Sequence, residues 1–155
     1  MAFVRAATVW LSTISLAAQE PRQYLCIADS ITGFAFEKGR WLPTIFKPEG
    51  RWIVHSAAVG GAPFGVKAVG QEVDIFVCVD GFDSEGDMIC RPTVDVLSRN
   101  EPLLKTGGTF NMSRQSGRFL LTNTVGYWRN ASARGDTSEL GGSSPHIAIG
   151  KCSAF

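Results

Sequence analysis

β-Branched residues recur at every second position across residues 73–80 of the chain, where Val73, Ile75, Val77 and Val79 alternate with other side chains. This period of two predicts a β-strand, because successive side chains of a strand point to opposite faces. Residues 83–86, Asp-Ser-Glu-Gly, supply turn chemistry, and a second short apolar run follows at residues 88–90. The pattern predicts a β-hairpin folded about Ser84.

A second hairpin is predicted later in the chain. Phe110 and Met112 share one face of its first strand, and Phe119 and Leu121 share one face of its second. The connecting residues 114–117, Arg-Gln-Ser-Gly, are typical of a tight turn. The pairing strands are predicted at residues 108–112 and 118–127.

Other segments rich in β-branched and aromatic residues predict further short strands. Stretches rich in glycine, proline and polar residues separate them and predict turns and loops. The remaining predicted strands are residues 24–28, 33–36, 51–56 and 145–152, with a turn at 37–40. The predicted loops are residues 57–70, 92–106 and 128–144, with an irregular sheet edge as the alternative for the first and a short helix as the alternative for the second.

About seven or eight short strands joined mostly by tight turns predict an all-β domain, either a small antiparallel barrel or a sandwich. Pairing the first strand with the last would close a barrel and remove both exposed sheet edges. No internal repeat or domain linker interrupts the pattern, so residues 19–155 are predicted to form a single domain.

The first eighteen residues follow a different pattern. One basic residue, Arg5, precedes an apolar stretch over residues 6–18, and small residues at its end fit cleavage after Ala17 or Ala18. Residues 1–18 are therefore predicted to be a signal peptide, which implies a periplasmic or secreted protein. A buried N-terminal helix is the alternative, since the same apolar residues could pack into a core.

Four cysteines follow the predicted leader, and an even set in an exported chain implies disulfides. Folding the first hairpin about Ser84 sets Cys78 opposite Cys90, at a spacing close to disulfide reach. Cys26 then pairs with Cys152 by elimination, and closing so long a loop is worth about 4 to 5 kcal/mol in the chain-entropy description. Zinc is the alternative, but the close cysteine pairs of structural zinc sites do not occur in the sequence.

Composition and charge exclude some classes of function. Of the 155 residues, 45% are hydrophobic and 19% are charged, which is typical of a globular domain rich in turns when 17 residues are glycine and 7 are proline. Fifteen basic and 14 acidic residues leave a net charge of +1, so no overall field attracts nucleic acid or an anionic membrane. Beyond the leader, no apolar stretch is long enough to span a membrane.

Candidate catalytic groups are few. The two histidines, His55 and His146, each lie in or beside a predicted strand, and no serine occupies a Gly-x-Ser-x-Gly motif. The sequence therefore predicts no catalytic residue and no cofactor, and it favours a protein that is not an enzyme.

Two weaker features point to binding. Acidic residues crowd the tip of the first hairpin like a loose set of calcium ligands, but they miss the EF-hand spacing and a solvated turn is favoured. Aromatic residues could line a ligand cavity in a small barrel, although filling the core is favoured. The candidate metal ligands are Asp80, Asp83, Glu85 and Asp87, and the candidate ligand-binding aromatics are Trp41, Trp52, Tyr127 and Trp128.

Short motifs that combine aromatic, glycine and cysteine residues are spread over most of the mature chain. They are Tyr24–Ala28, Thr32–Phe34, Trp41, Phe46, Phe110–Asn111, Gly117–Phe119, Gly126–Tyr127 and Ile149–Cys152. This set resembles small secreted bacterial or phage-borne proteins that carry no assigned activity, and the resemblance implies export. The architecture is also similar in outline to periplasmic lysozyme-inhibitor barrels, without their inhibitory loop motif.

The sequence thus predicts a non-catalytic exported binding module that holds a small ligand or blocks a protein partner. One alternative is a small hydrolase of the cell envelope, which would need a histidine within reach of an acid and a nucleophile. Another is a structural or assembly component, for which a large exposed apolar patch would be the sign.

Overall fold

A computed structural model describes residues 23–56, 59–93, 107–124 and 144–155. These residues form nine antiparallel strands in one sheet, which confirms the all-β prediction. A short 3₁₀ turn at Val59–Gly61 precedes the fourth strand. The strands are β1 Gln23–Glu37, β2 Arg40–Phe46, β3 Arg51–Ser56, β4 Phe64–Ala68, β5 Phe76–Cys78, β6 Asp87–Pro92, β7 Gly108–Ser113, β8 Arg118–Asn123 and β9 His146–Ala154.

Eight of the strands close into a barrel, so the sandwich alternative is wrong. The strand order around the barrel is β1, β3, β4, β5, β6, β7, β8 and β9, and β9 pairs back onto β1. The predicted pairing of the first and last strands is confirmed by Cys26, which lies opposite Cys152. Closure leaves no barrel strand with a free edge along this order.

β1 is long enough to pair with two strands, β3 and β2, along the same edge. Its first part, Gln23–Ile27, pairs with β3, and its second part, Ile31–Glu37, pairs with β2. A register shift between Ala28 and Ser30 marks a β-bulge between the two parts, and such bulges bend a strand. The predicted strands at 24–28 and 33–36 are therefore one bulged strand.

The β1–β2 hairpin extends past the barrel. Pairing of β1 with β9 ends at Gly33, so the residues beyond it pair only with β2. The connecting residues Lys38 and Gly39 have φ angles of 49° and 81°, as a two-residue type I′ turn requires. We call residues 34–43 the arm.

Aromatic side chains fill the barrel interior. Trp52 packs edge-on against Phe119 with ring centroids 5.4 Å apart, and Phe119 stacks on Phe110 at the same distance. Phe82 covers one end of the barrel and packs against Tyr24. The sixteen buried core residues also include Cys26, Ala28, Val54, Val66, Phe76, Cys78, Met88, Cys90, Met112, Leu121, Ala148 and Cys152.

Both predicted disulfides are present, Cys26–Cys152 and Cys78–Cys90. The predicted hairpin between residues 73 and 90 has the expected register, with Val77 opposite Arg91. Its first strand is shorter than predicted, because only Phe76–Cys78 are β-structured. The second predicted hairpin is also confirmed, since Ser113 lies opposite Arg118 across the 114–117 turn.

Two parts of the sheet differ from the prediction. Residues 57–70, predicted to be a loop or an irregular edge, contain the strand Phe64–Ala68, because pairing with β3 and β5 overrides the low strand propensity of this segment rich in glycine and alanine. The strand Arg40–Phe46 was not predicted, and Pro43 is tolerated in it because β2 pairs on one side only.

Several predictions lie outside the described residues. They are the leader at 1–18, most of the predicted loops 92–106 and 128–144, and the last part of the predicted strand 118–127. Within the described ranges, no helix has the length and apolarity that crossing a membrane would need.

Candidate functional site

The structure separates the aromatic residues that were candidates for a ligand cavity. Trp52 is buried in the core against Phe119, so it fills the interior instead of lining a cavity. Trp41 lies half-buried on the arm, where its ring packs against Phe36 with centroids 5.3 Å apart. Tyr127 and Trp128 lie outside the described residues. The two described tryptophans therefore do not form one site.

His55 and Asp74 form a close pair on the outside of the barrel. His55 Nε2 lies 2.6 Å from Asp74 Oδ1, and the Asp74 side chain is only 4% exposed. Asp74 belongs to the β4–β5 connection, which is held down by the Thr93 hydroxyl donating to the Asp74 carbonyl over 2.7 Å. The sequence placed His55 in a strand correctly but had no signal for Asp74 as its partner.

The pair has the hydrogen bonds of a structural contact. His55 Nδ1 donates to the Ser56 carbonyl over 3.0 Å, while Nε2 faces the Asp74 carboxylate. Each ring nitrogen of His55 therefore faces an oxygen atom of the fold. Within the described ranges, His55 is paired with an acid, as the histidine of a hydrolase would be, but neither ring nitrogen contacts a serine, threonine or cysteine side chain.

We expect His55→Ala and Asp74→Ala each to lower the free energy of unfolding by about 2 kcal/mol, because each leaves a buried polar partner without its hydrogen bond. The double variant should lose much less than the sum of the two. Urea unfolding of all four proteins, analysed as a double-mutant cycle, measures this coupling. Strictly additive losses would show that the contact stabilises nothing.

His146 also serves the fold. Its Nδ1 donates to the Ser144 carbonyl over 2.8 Å, and its ring lies edge-on to Phe46, with centroids 6.3 Å apart. These contacts connect β9 to β2 at the base of the arm. Neither histidine is therefore placed beside a nucleophile in the described part of the chain.

The acidic tip of the β5–β6 hairpin is a capped turn. Asp83 Oδ1 accepts hydrogen bonds from the backbone N–H groups of Glu85 and Asp87, over 2.9 and 2.8 Å. This Asx-type arrangement uses the carboxylate to hold the turn. Within the described ranges, no three His, Cys, Asp or Glu side chains group so that they could hold a metal ion, and Asp80, Asp83, Glu85 and Asp87 are not brought together as ligands.

An apolar row crosses the outside of the barrel on four neighbouring strands. Ile89 of β6 lies opposite Asn111 of β7, Asn111 lies opposite Leu120 of β8, and Leu120 lies opposite Ile149 of β9. The exposed fractions of the three aliphatic residues are 64%, 37% and 50% in that order. We call these four residues the apolar strip, in which Leu120 and Ile149 adjoin directly and the polar Asn111 lies between them and Ile89. Neighbouring exposed apolar side chains mark interaction surfaces.

A charged row borders the apolar strip. Asp87, Ser113, Arg118 and Lys151 lie opposite one another in the same order of strands. A groove of about 410 Å³ lies between the two rows over β6, β7 and β8. Inside it, Asn111 Oδ1 is buried and accepts no hydrogen bond, while Nδ2 donates weakly to the Thr109 hydroxyl over 3.5 Å. The site therefore combines an apolar surface with charges of both signs.

The sequence contained a signal for the apolar strip, because apolar residues in three of its strands do not alternate with polar ones. Met88-Ile89-Cys90, Phe119-Leu120-Leu121 and Ile147-Ala148-Ile149 are unbroken apolar runs. A strand with one face in water should alternate, whereas an unbroken run is typical of a strand covered on both faces. In each run the residues of one face point into the barrel and those of the other face are exposed.

No family model, no curated protein and no solved structure matches the chain. The surface and the interior of the barrel are therefore the basis for a proposal of function.

Proposed function

We propose that this protein is a non-catalytic, exported binding module that contacts a protein partner through the apolar strip. The observation that carries the proposal is the row of exposed aliphatic residues on β6, β8 and β9, with its adjoining groove. The two buried disulfides are consistent with an oxidising compartment, which supports export.

The filled interior argues for a protein partner over a small ligand held inside the barrel. Eight strands leave an interior that side chains can just fill. Here Phe110 and Met88 are almost fully buried, and the stacked rings of Phe110 and Phe119 occupy the centre. Recognition is therefore assigned to the outer surface.

The apolar strip and the charged row beside it are arranged like the centre and the rim of a protein–protein interface. Such interfaces have an apolar centre and a polar rim that supplies specificity. Leu120 and Ile149 would supply the centre, while Asp87 and Arg118 would supply charge-assisted hydrogen bonds at one border.

An assembly component is the second candidate, and the same exposed strip favours it. The two candidates differ in what covers the strip: a different protein for a binding module, and further copies of this chain for an assembly component. Sedimentation velocity over a range of concentrations separates them. A binding module should remain a 16.7 kDa monomer, or its shorter processed form, at all concentrations.

The binding proposal predicts site-specific cross-linking in the cells that produce the protein. A photoreactive phenylalanine analogue at position 120 should give one discrete protein adduct, and the same analogue at Val73, which is 69% exposed in the β4–β5 connection, should give none. Adding Arg118→Glu should reduce the adduct at position 120 several-fold, because reversing a rim charge opposes a complementary partner. Equal adducts from both positions, or none from position 120, would contradict the proposal.

A further inference from the structure

We propose that the arm docks on the surface of an anionic phospholipid bilayer, with the rings of Phe36 and Trp41 in the interfacial region and the basic residues Lys38 and Arg40 among the headgroups. The face of the arm adjoins the apolar strip on β9, where Ile147 and Ile149 are neighbours on the exposed face, but lipid docking does not require the strip. Three features favour lipid at the arm: the composition of one of its faces, the charge at its tip, and its shape.

One face of the arm is entirely uncharged. Phe36 lies opposite Trp41, and Phe34 lies opposite Pro43, so all four side chains lie on the same face of the hairpin. Phe34 and Phe36 are 45% and 43% exposed. Glu37 and Arg40 form the next pair and therefore lie on the other face. Aromatic side chains, tryptophan above all, are the residues that favour the interface between lipid and water.

The face continues onto the barrel. Thr32 of β1 lies opposite Ile45 of β2 on one side and Ile147 of β9 on the other, and the two isoleucines are 83% and 46% exposed. A flat surface that rested on the arm would also reach these residues. The apolar area is therefore larger than the arm alone.

The tip of the arm carries the charge that an anionic surface would attract. Lys38 and Arg40 are exposed there beside a single acidic residue, Glu37. The acidic β5–β6 turn lies at the other end of the barrel, where Phe82 from that turn packs on Tyr24 at the start of β1 and Arg114 lies over the Phe82 ring. An anionic bilayer would attract the tip of the arm more strongly than that end, because acidic and basic side chains lie together there.

The shape of the arm suits shallow insertion. Four residues of each strand extend past the last β9 pair, which corresponds to a length of roughly 13 Å. Interfacial segments bury their apolar face about 5 to 10 Å into the boundary between headgroups and acyl chains. Pro43 removes one backbone donor from β2, which opposes the alternative that another strand adds to this edge.

Vesicle co-sedimentation with the purified protein tests the proposal. The probes are phosphatidylcholine vesicles and vesicles of phosphatidylcholine with phosphatidylglycerol at about 3:1, since anionic lipid attracts basic residues near the surface. The protein should bind the anionic vesicles and not the neutral ones, and about 1 M salt should abolish binding because the Debye length is then about 3 Å. Binding to neither vesicle would overturn the proposal.

Matched variants locate the contact. Phe36→Ser should weaken binding by at least about tenfold, given the apolar surface of a phenylalanine ring. Lys38→Gln and Arg40→Gln should each weaken it about fivefold. The controls are Val79→Ser, at an exposed apolar residue just after β5, and Arg91→Gln on β6, which lies four strands from β1 in either direction around the barrel. If the controls lose as much binding as the arm variants, the contact is not at the arm.

Fluorescence quenching reports which tryptophan lies at the lipid, which binding strength alone does not. Lipids brominated near the headgroup should quench the emission of the bound protein, and the quenched part should disappear in Trp41→Phe. Unchanged quenching in that variant would place another tryptophan at the lipid and overturn the proposal. Self-association that Phe36→Ser abolishes in the absence of vesicles would instead assign the arm to a second copy of the chain.

Discussion

Removal of the Cys26–Cys152 disulfide by a double change to alanine is expected to lower the free energy of unfolding by about 5 kcal/mol in the chain-entropy description. The bridge joins residues 126 apart in the sequence, and it ties β1 to β9 at the seam that closes the barrel. Without the bridge, the unfolded chain is no longer closed into a loop that spans almost its whole length. Its conformational entropy is then higher, which favours unfolding. Such a loss is a large part of the stability of an ordinary domain.

The second disulfide provides a matched control. Cys78 and Cys90 are 12 residues apart, so the same double change there is expected to cost only about 3 kcal/mol. All four cysteines are buried, so the loss of packed sulfur is similar in both variants and largely cancels from the comparison. Urea unfolding followed by tryptophan fluorescence measures both values. If both double variants lost the same free energy of unfolding, loop length would not determine how much the Cys26–Cys152 disulfide stabilises the protein.

Truncation of the central aromatic ring, Phe110→Ala, is expected to lower the free energy of unfolding by about 3 to 5 kcal/mol. Phe110 has no exposed surface and stacks on Phe119 with an interplanar angle of 10°, while Phe76 lies 6.3 Å away between centroids. Its removal leaves a cavity in a closed barrel whose strands cannot readily move together. Both the lost burial and the cavity then contribute to the cost.

Leu120→Ala serves as the control for the core truncation. Leu120 is on the neighbouring strand but points outward and is 37% exposed, so its loss is expected to change the stability by less than about 1 kcal/mol. Thermal unfolding of the two variants followed by circular dichroism distinguishes them. A comparable loss in both would mean that the ring of Phe110 is not the centre of the core.

The sequence predictions were correct where they rested on interactions between residues that are close together along the chain. The hairpin that carries Cys78 and Cys90 was predictable, because alternation, turn chemistry and disulfide reach all act over a few residues and agree with one another. β4 was not predicted as a strand because residues 57–70 are rich in glycine and alanine, which have low strand propensity, and pairing with β3 and β5 overrides that preference. The buried partner of His55 could not be predicted, since Asp74 reaches it only through the path of the β4–β5 connection.

For the apolar strip and the arm, the sequence showed which residues are apolar but not which of them are exposed. Both the aromatic residues of the arm and the unbroken apolar runs were visible in the sequence. Their exposure was not, because an apolar residue in a strand can face either the core or the outside, and the register decides which. Only pairing Leu120 with Ile149 and Phe36 with Trp41 shows that these side chains form continuous outer surfaces.

The sequence by itself determined the β class, the hairpin with its Cys78–Cys90 disulfide and the second hairpin, because these depend on the period of the side chains and on short separations along the chain. The Cys26–Cys152 pairing, 126 residues apart, followed from the first pairing by elimination. The tertiary structure decided that the sheet closes into an eight-stranded barrel, that Trp52 belongs to its core, and that the β1–β2 hairpin continues past it as the arm. Whether a sheet closes depends on pairing between strands that are far apart in the sequence. The side chains of a strand alternate with a period of two in a barrel and in a sandwich alike, so the period does not distinguish the two folds.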